Sequence, residues 1–376
     1  MNLLHLYDSY EKAYFLERPN RFVMLLQTGD GNTIRAHVPN TGRMEEFCFE
    51  GHPFFVSPRR HTKYPYKVVA TMYQDNFVFL DTIKVNTLFF HLLNQRLIPQ
   101  FQQAAQITRE VTFGNSRFDF RFVQDQQDVL AEIKSCTLCH NGLAMFPDAP
   151  TLRGQKHLLA LDRLAAEAQY QTHVIFLILN ASAQRFMPNV HTDFEYGKLF
   201  LAAQHVNFHA FRLRFIDPVC VDLHSIREIP VDFSTLNAYC KNKGSYLLVL
   251  ENSADVTLTV GKLGDIHFPA GCYVYVGSAL NSLDSRIKRH QRKRKKCFWH
   301  IDYIASTVMQ IKKVYPIRRP ERMESQLAQV LGHISDGAIK GFGASDAPDG
   351  SHLFYFRTSP LRKRKFIEII FEAWTD

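Results

Sequence analysis

Two short runs carry the side chains best suited to chemistry, Arg117-Phe-Asp-Phe-Arg-Phe122 and Val129-Leu-Ala-Glu-Ile-Lys-Ser-Cys136. Both alternate apolar and polar residues, the period-two signature of strands with one packed face. In the first, Phe118, Phe120 and Phe122 share one side, and Arg117, Asp119 and Arg121 the other. In the second, Glu132 and Lys134 share a face because successive side chains alternate. If the strands pair, Asp119 and Glu132 converge with an ammonium beside them. Two carboxylates suit a hard divalent cation with oxygen ligands, Mg²⁺ or Mn²⁺. The adjacent lysine can position or activate water and offset charge developing on a phosphate. That is chemistry for cutting a phosphodiester. A solvated strand face also carries Glu-x-Lys, so the flanking sequence has to decide.

The elements that would position these residues follow in order. After a short lead-in over 1–16, strand-like runs at 22–26, 33–38, 54–57, 66–71 and 76–80 suggest a small barrel, with an OB-fold the commonest answer. A helix is expected over 84–96, strands over 107–113, 117–123 and 129–138, and a helix over 154–168. The run 173–179 reads as a strand buried on both faces, Asp193 as a helix cap, and 209–215 as a returning strand. This alternation is an α/β layer arrangement.

The Asp followed by Glu-x-Lys resembles the PD-(D/E)XK nuclease motif, and the element order matches that core. A wider set of motifs is similar to the sugar fermentation stimulation protein family: Val38-Pro-Asn-Thr-Gly-Arg-Met44, Lys63-Tyr64, Ser116-Arg-Phe-Asp119, Glu132-Ile-Lys-Ser135, Phe146-Pro-Asp-Ala149, Arg153-Gly154 and Lys156-His157. The resemblance runs from about Arg18 to about Pro230. It implies an OB-like subdomain joined to a PD-(D/E)XK-like domain, with nucleic-acid binding and nuclease activity. By that resemblance Asp119 and Glu132 would be metal ligands and Lys134 the catalytic lysine. Arg43 would contact nucleic acid, and Glu110, Asp148, Lys156 and His157 are second-rank site candidates.

Composition narrows the partner class. No apolar run approaches the ~20 residues needed to span a bilayer. The N-terminus shows no signal-peptide pattern, and the seven scattered cysteines suit a reducing, cytoplasmic setting. Cys136-x-x-Cys139-His140 matches a haem-attachment pattern, but thiols three apart on a strand diverge and no export signal accompanies them. No second Cys-x-x-Cys supplies a zinc site, so neither haem nor zinc is expected. Residues 1–236 carry 23 basic and 23 acidic side chains, whereas 237–376 carry 22 and 13, so the whole net charge of +9 lies in the C-terminal part. Such a basic region is the footprint of a polyanion binder, with DNA foremost and RNA also compatible.

The C-terminal third supplies that charge. Eight of the eleven residues from Arg286 to Lys296 are Lys or Arg: Arg286, Lys288, Arg289, Arg292, Lys293, Arg294, Lys295 and Lys296. Such a cluster signals a phosphate partner. Around it, Tyr273-Val-Tyr-Val-Gly-Ser-Ala279, Trp299-His-Ile-Asp-Tyr303, Gly341-Phe-Gly343 and Ser351-His-Leu-Phe354 resemble the GIY-YIG nuclease superfamily over about 238–357. The resemblance implies roles for Tyr246, Tyr275, Arg286 and His290, with Glu324 as a metal ligand. For each tyrosine a core position in a small sheet is an equal alternative.

The sequence therefore predicts a multidomain α/β and α+β protein. Its parts are an OB-like barrel (1–83), a PD-(D/E)XK-like domain (84–232), a GIY-YIG-like domain (238–357) and a basic tail (358–376). The expected function is a metal-dependent nuclease. The alternative is a non-catalytic DNA-binding regulator that keeps both nuclease folds as scaffolds.

Overall fold

A computed structural model describes residues 2–344 and 350–375; residues 345–349, inside the expected GIY-YIG-like region, lie outside the described residues. The chain forms two compact units, Met1–Leu236 and Asn237–Asp376.

In the first unit, five strands close a barrel: Glu11–Asn20, Val23–Thr28, Thr33–His37, Pro53–Pro58 and Tyr66–Tyr73. They are ordered Thr33–His37, Val23–Thr28, Glu11–Asn20, Pro53–Pro58, Tyr66–Tyr73, and a parallel pairing of Ala36 with Tyr66 and His37 with Lys67 closes the ring. Phe15, Met24, Val38, Phe47, Phe54 and Val68 fill it. Glu11–Asn20 corrects the sequence reading, which leaves this stretch largely as a lead-in. Its Ala13 and Phe15 point into the barrel, but Pro19 and four charged residues hide the alternation. Asn76–Phe79 pairs with the barrel and, through Phe77 and Phe215, with the neighbouring layer.

That layer is a sheet with helices packed on it. Ala105–Phe113, Ser116–Gln124 and Gln127–Cys136 run antiparallel, then Gln171–Ile178 and Val206–Phe215 follow in parallel. Gln171–Ile178 is buried on both faces, as its unbroken apolar run requires. The helix Val85–Asn94 buries Leu88, Phe89, Leu92 and Leu93. The helix Leu152–Ala166 is capped by Thr151 and buries His157, Leu158, Leu161 and Leu164. Asp193 caps Phe194–Ala202 by accepting from Tyr196 N–H.

The second unit is built on a five-stranded sheet with Gly244–Asn252 between Gln310–Ile317 and Gly271–Ala279. The hairpin Val256–Thr259 with Asp265–Phe268 intervenes between the first two motif strands. The segment 358–376, read as a basic tail, contains the helix Arg364–Thr375, whose Phe366, Ile367, Ile370 and Trp374 are buried. Its basic residues cluster before and at the helix start, Glu372 is exposed, and the apolar face belongs to the core. Among the described residues no helix is long and apolar enough to cross a membrane.

Candidate active site

The antiparallel ladder between Ser116–Gln124 and Gln127–Cys136 ends at the pair Ala131 and Phe120. One step beyond, the Asp119 carboxylate replaces the ladder and accepts from Ile133 N–H at 2.8 Å. Its other oxygen accepts from Asn86 Nδ2, on the helix Val85–Asn94, at 2.7 Å. Glu132, only 3% exposed, receives Lys134 Nζ at 2.5 Å and His157 Nδ1 at 2.6 Å on the same oxygen, Oε1. Phe118 packs edge-on against His157, with ring centres 5.7 Å apart. Asp119, Glu132, Lys134 and His157 thus meet in one place.

The electrostatics differ for the two acids. Burial, then the charge of Glu132, pushes the Asp119 carboxyl above its ordinary range. Burial also opposes ionisation of Glu132, but Lys134 and His157 outweigh it and hold that carboxyl low. Neighbouring titratable groups with opposed shifts mark sites where charge is managed for a purpose. Among the described residues, the second oxygen of Glu132, Oε2, is buried without a hydrogen-bond partner. A buried anionic oxygen left bare is costly, and a cation there would satisfy it. Among the described residues no three His, Cys, Asp or Glu side chains gather as a complete cage. Any ion would therefore rest on the two carboxylates and complete its shell with water or substrate, as Mg²⁺ commonly does.

The other second-rank residues lie elsewhere or act differently. Lys156 donates to the Asn115 carbonyl at 3.0 Å. Glu110 is exposed and faces Arg117 at 3.6 Å. Asp148 sits under the Pro39–Met44 loop, accepting from Met44 N–H near Arg18 and Arg43. A Cβ on Gly42 would lie 1.9 Å from Asp148 Oδ2. The loop is tied to the core by Asn40 Nδ2 to Thr137 Oγ1, 3.4 Å, and Arg43 is exposed on it. Asn86 was not anticipated. No spacing in the sequence links it to Asp119, 33 positions away.

In the second unit, Tyr246 and Tyr275 lie on adjacent strands with ring centres 6.4 Å apart. The Tyr246 hydroxyl is 2.8 Å from His290 Nε2, and His290 Nδ1 is 3.5 Å from the buried Asp302. Burial holds the His290 imidazole neutral to a lower pH than usual, despite Asp302. Arg286 lies 4.1 Å over the Trp299 ring and Arg289 4.3 Å from it. Glu324 touches Ser278 Oγ at 2.5 Å and His352 Nδ1 at 3.3 Å. Burial opposes its ionisation, but those two partners win and keep it low. Asp302, Trp299 and His352 were missed as site residues, although each falls inside a motif quoted for the resemblance.

The basic run departs from the expected continuous phosphate-facing surface. Arg289 grips Asp302 with both oxygens at 2.9 and 3.0 Å, and Lys295 lies 3.3 Å from it. Lys293 donates to the Ala305 and Met309 carbonyls. The helix ends at Gln291, so the remaining run wraps back onto its own unit. Arg292, Arg294 and Lys296 stay exposed.

Comparison with known proteins follows this division. The model of the sugar fermentation stimulation protein RE domain matches residues 84–217, and that of its N-terminal OB domain residues 16–80. A domain of unknown function, DUF123, matches residues 245–374. A sugar fermentation stimulation protein homolog of Desulforamulus reducens is 39% identical over 183 residues, covering 48% of this chain and 76% of its own. Its counterpart from Methanothermobacter thermautotrophicus is 33% identical over 188 residues, 50% of this chain and 78% of that one. The solved structure of Pyrococcus furiosus SfsA in complex with Ca²⁺ aligns at 27% identity with a TM-score of 0.56, covering 61% of this chain and 99% of that one.

Proposed function

We propose that this chain, which belongs to the sugar fermentation stimulation protein family, binds nucleic acid and hydrolyses phosphodiester bonds at Asp119, Glu132 and Lys134. The observation that carries the reading is Glu132 Oε2, buried and unpartnered beside a second carboxylate. Asp119 and Glu132 would hold a divalent cation, and the Ca²⁺ reported with the Pyrococcus furiosus relative accords with an oxygen-ligand site. When bound, such an ion supplies positive charge opposite the phosphate and makes a water more acidic. Lys134 keeps an ammonium beside the acids, where it can orient water and donate to a developing oxyanion. His157 fixes Glu132 Oε1, leaving Oε2 for the ion. Asn86 and Ile133 N–H hold Asp119 in register.

The second unit supports a further phosphate-handling site. Tyr246, hydrogen-bonded to His290, can relay a proton from an attacking water to the imidazole, Arg286 can pair with phosphate oxygens, and Glu324 can offer one carboxylate to a cation. The regulator reading rests on one feature, the close Lys134–Glu132 pair, which neutralises the glutamate without any ion.

The test is cleavage of labelled DNA and RNA, single- and double-stranded, with Mg²⁺ or Mn²⁺ and with EDTA. Chelation is expected to stop it, and Lys134→Ala to slow it by about 10²–10³-fold, the scale of losing one transition-state donor. Glu132→Ala should abolish Ca²⁺ binding in calorimetry. Full cleavage by Glu132→Ala would assign the activity to other residues.

A further inference from the structure

We infer that a cationic track in the first unit runs from the catalytic strand pair across the barrel and holds the phosphate backbone of the substrate. It rests on the nuclease reading for its partner. Sequence counting points away from this unit, whose acidic and basic side chains cancel. The fold nevertheless gathers cations locally.

The track starts at Asn86, the partner of Asp119. Two residues earlier, the Lys84 ammonium sits 5.3 Å from the centre of the Tyr7 ring, and Lys67 sits 5.5 Å from the same ring. Lys67 Nζ also donates to Asp81 at 3.0 Å and to the Tyr7 hydroxyl at 3.1 Å. Arg59 is close enough to act on the Tyr7 hydroxyl and to help keep His37 neutral. Beyond it, the turn between Pro53–Pro58 and Tyr66–Tyr73 exposes Arg60, His61 and Lys63, with Lys63 5.6 Å from the Tyr64 ring.

Three features give this cluster a direction and a partner. First, its anion, Asp81, is fully buried and already engaged by Lys67, Tyr7 and Ile83 N–H, so it screens little of the outer charge. Among the described residues, Arg59, Lys63 and Lys84 form no ion pair. Second, Lys67, Lys84 and Arg59 gather at Tyr7, but the charge continues past them to Arg60 and Lys63 on the exposed turn. These cations are strung along a loop, a strand and a helical turn, which suits an extended polyanion. Third, one end is fixed at the reacting groups. Thr82 Oγ1 donates to the Pro39 carbonyl at 3.1 Å, which binds the turn carrying Lys84 to the loop that exposes Arg43. The Tyr7 ring holds the Lys84 ammonium by a cation–π contact, while Lys67 is taken up by Asp81.

The experiment uses the full chain carrying Glu132→Ala, so that substrate is bound without being cut. Labelled single-stranded and duplex oligonucleotides of equal length are titrated across a salt series, against the same protein with Arg59→Ala, Lys63→Ala and Lys84→Ala. Affinity at low salt should fall about tenfold or more, and the slope of log affinity against log salt should shrink by about 2 to 3, since each lost phosphate contact removes ~0.7–0.9. Loss confined to one strand form also supports the track and identifies its source. Lys198→Ala with Arg214→Ala, both exposed and paired with acids, removes two charges, the same number as Lys63→Ala with Lys84→Ala, and as the control should change neither quantity. If the triple variant fails to fold, Lys63→Ala with Lys84→Ala alone should reduce the slope by about 1.5. An unchanged slope and affinity on both strand forms overturns the track. Absence of cleavage by the wild type, with the slope change intact, overturns the nuclease reading and leaves the track standing.

Discussion

At Asp119, burial and the neighbouring Glu132 act together, while at Glu132 the cations Lys134 and His157 reverse the effect of burial. The consequences for stability have opposite signs. An acid whose folded pKa is raised binds more protons folded than unfolded between the two pKa values, so stability falls as pH climbs through that window and stays lower above it. An acid whose folded pKa is depressed contributes stability above its unfolded pKa, which is lost as pH falls through the folded value. Asp119→Asn should therefore raise the melting temperature at neutral pH and give no gain at acid pH. Glu132→Gln should lower it at neutral pH. Melting curves across pH check both. An Asp119→Asn variant that melts lower at neutral pH would mean that the donors Asn86 and Ile133 N–H outweigh burial. The proposed metal site gives a reason to keep such an unfavourable carboxylate, since a cation would need both acids ionised.

The strands that carry Asp119, Glu132 and Lys134 were legible because strand alternation alone places Glu132 and Lys134 on one face and lets Asp119 meet them across an antiparallel pair. Contacts made by packing were not. Asn86 reaches Asp119 from a helix, and Asp302 reaches His290 from a segment 12 positions on, with no period to reveal either. The barrel strand Glu11–Asn20 was hidden by its charged, proline-containing exterior, since only Ala13 and Phe15 report its inward face. The Pro39–Met44 loop shows the same limit. Its motif was visible, but the reason for its glycine is spatial: Gly42 lies directly against the Asp148 carboxylate. Gly42→Ala should cost about 1–3 kcal/mol of stability, the usual scale for forcing a methyl into a packed contact. It should also weaken oligonucleotide binding by displacing Arg43. Adding Asp148→Ala to Gly42→Ala should recover part of the stability in denaturant titrations. No recovery would show that the clash is relieved by some other shift and that the carboxylate is not what the loop rests on.

Across the whole molecule, charge counts locate a basic half without saying which of its cations are available. The second unit carries the entire net charge of +9, yet Arg289 and Lys295 serve Asp302, and Lys293 closes a helix end by donating to the Ala305 and Met309 carbonyls. Asp302 also accepts from Phe298 N–H and Trp299 N–H, so one buried carboxylate fixes the loop on which Arg286 stacks. The run therefore divides into two groups with separable effects. Asp302→Ala leaves Arg289, Lys295 and His290 around an empty site, and breaking a buried pair in this way costs about 3–5 kcal/mol. The melting transition should drop, and Trp299 fluorescence should change as its loop is released. Alanine at Arg292, Arg294 and Lys296 together should leave the melting temperature unchanged, because exposed cations without close partners contribute little to stability. The same triple variant should flatten the salt dependence of binding if these groups touch phosphate. Equal destabilisation by both sets of changes would mean that the whole run is structural, and the charge of this unit would then no longer point to a polyanion.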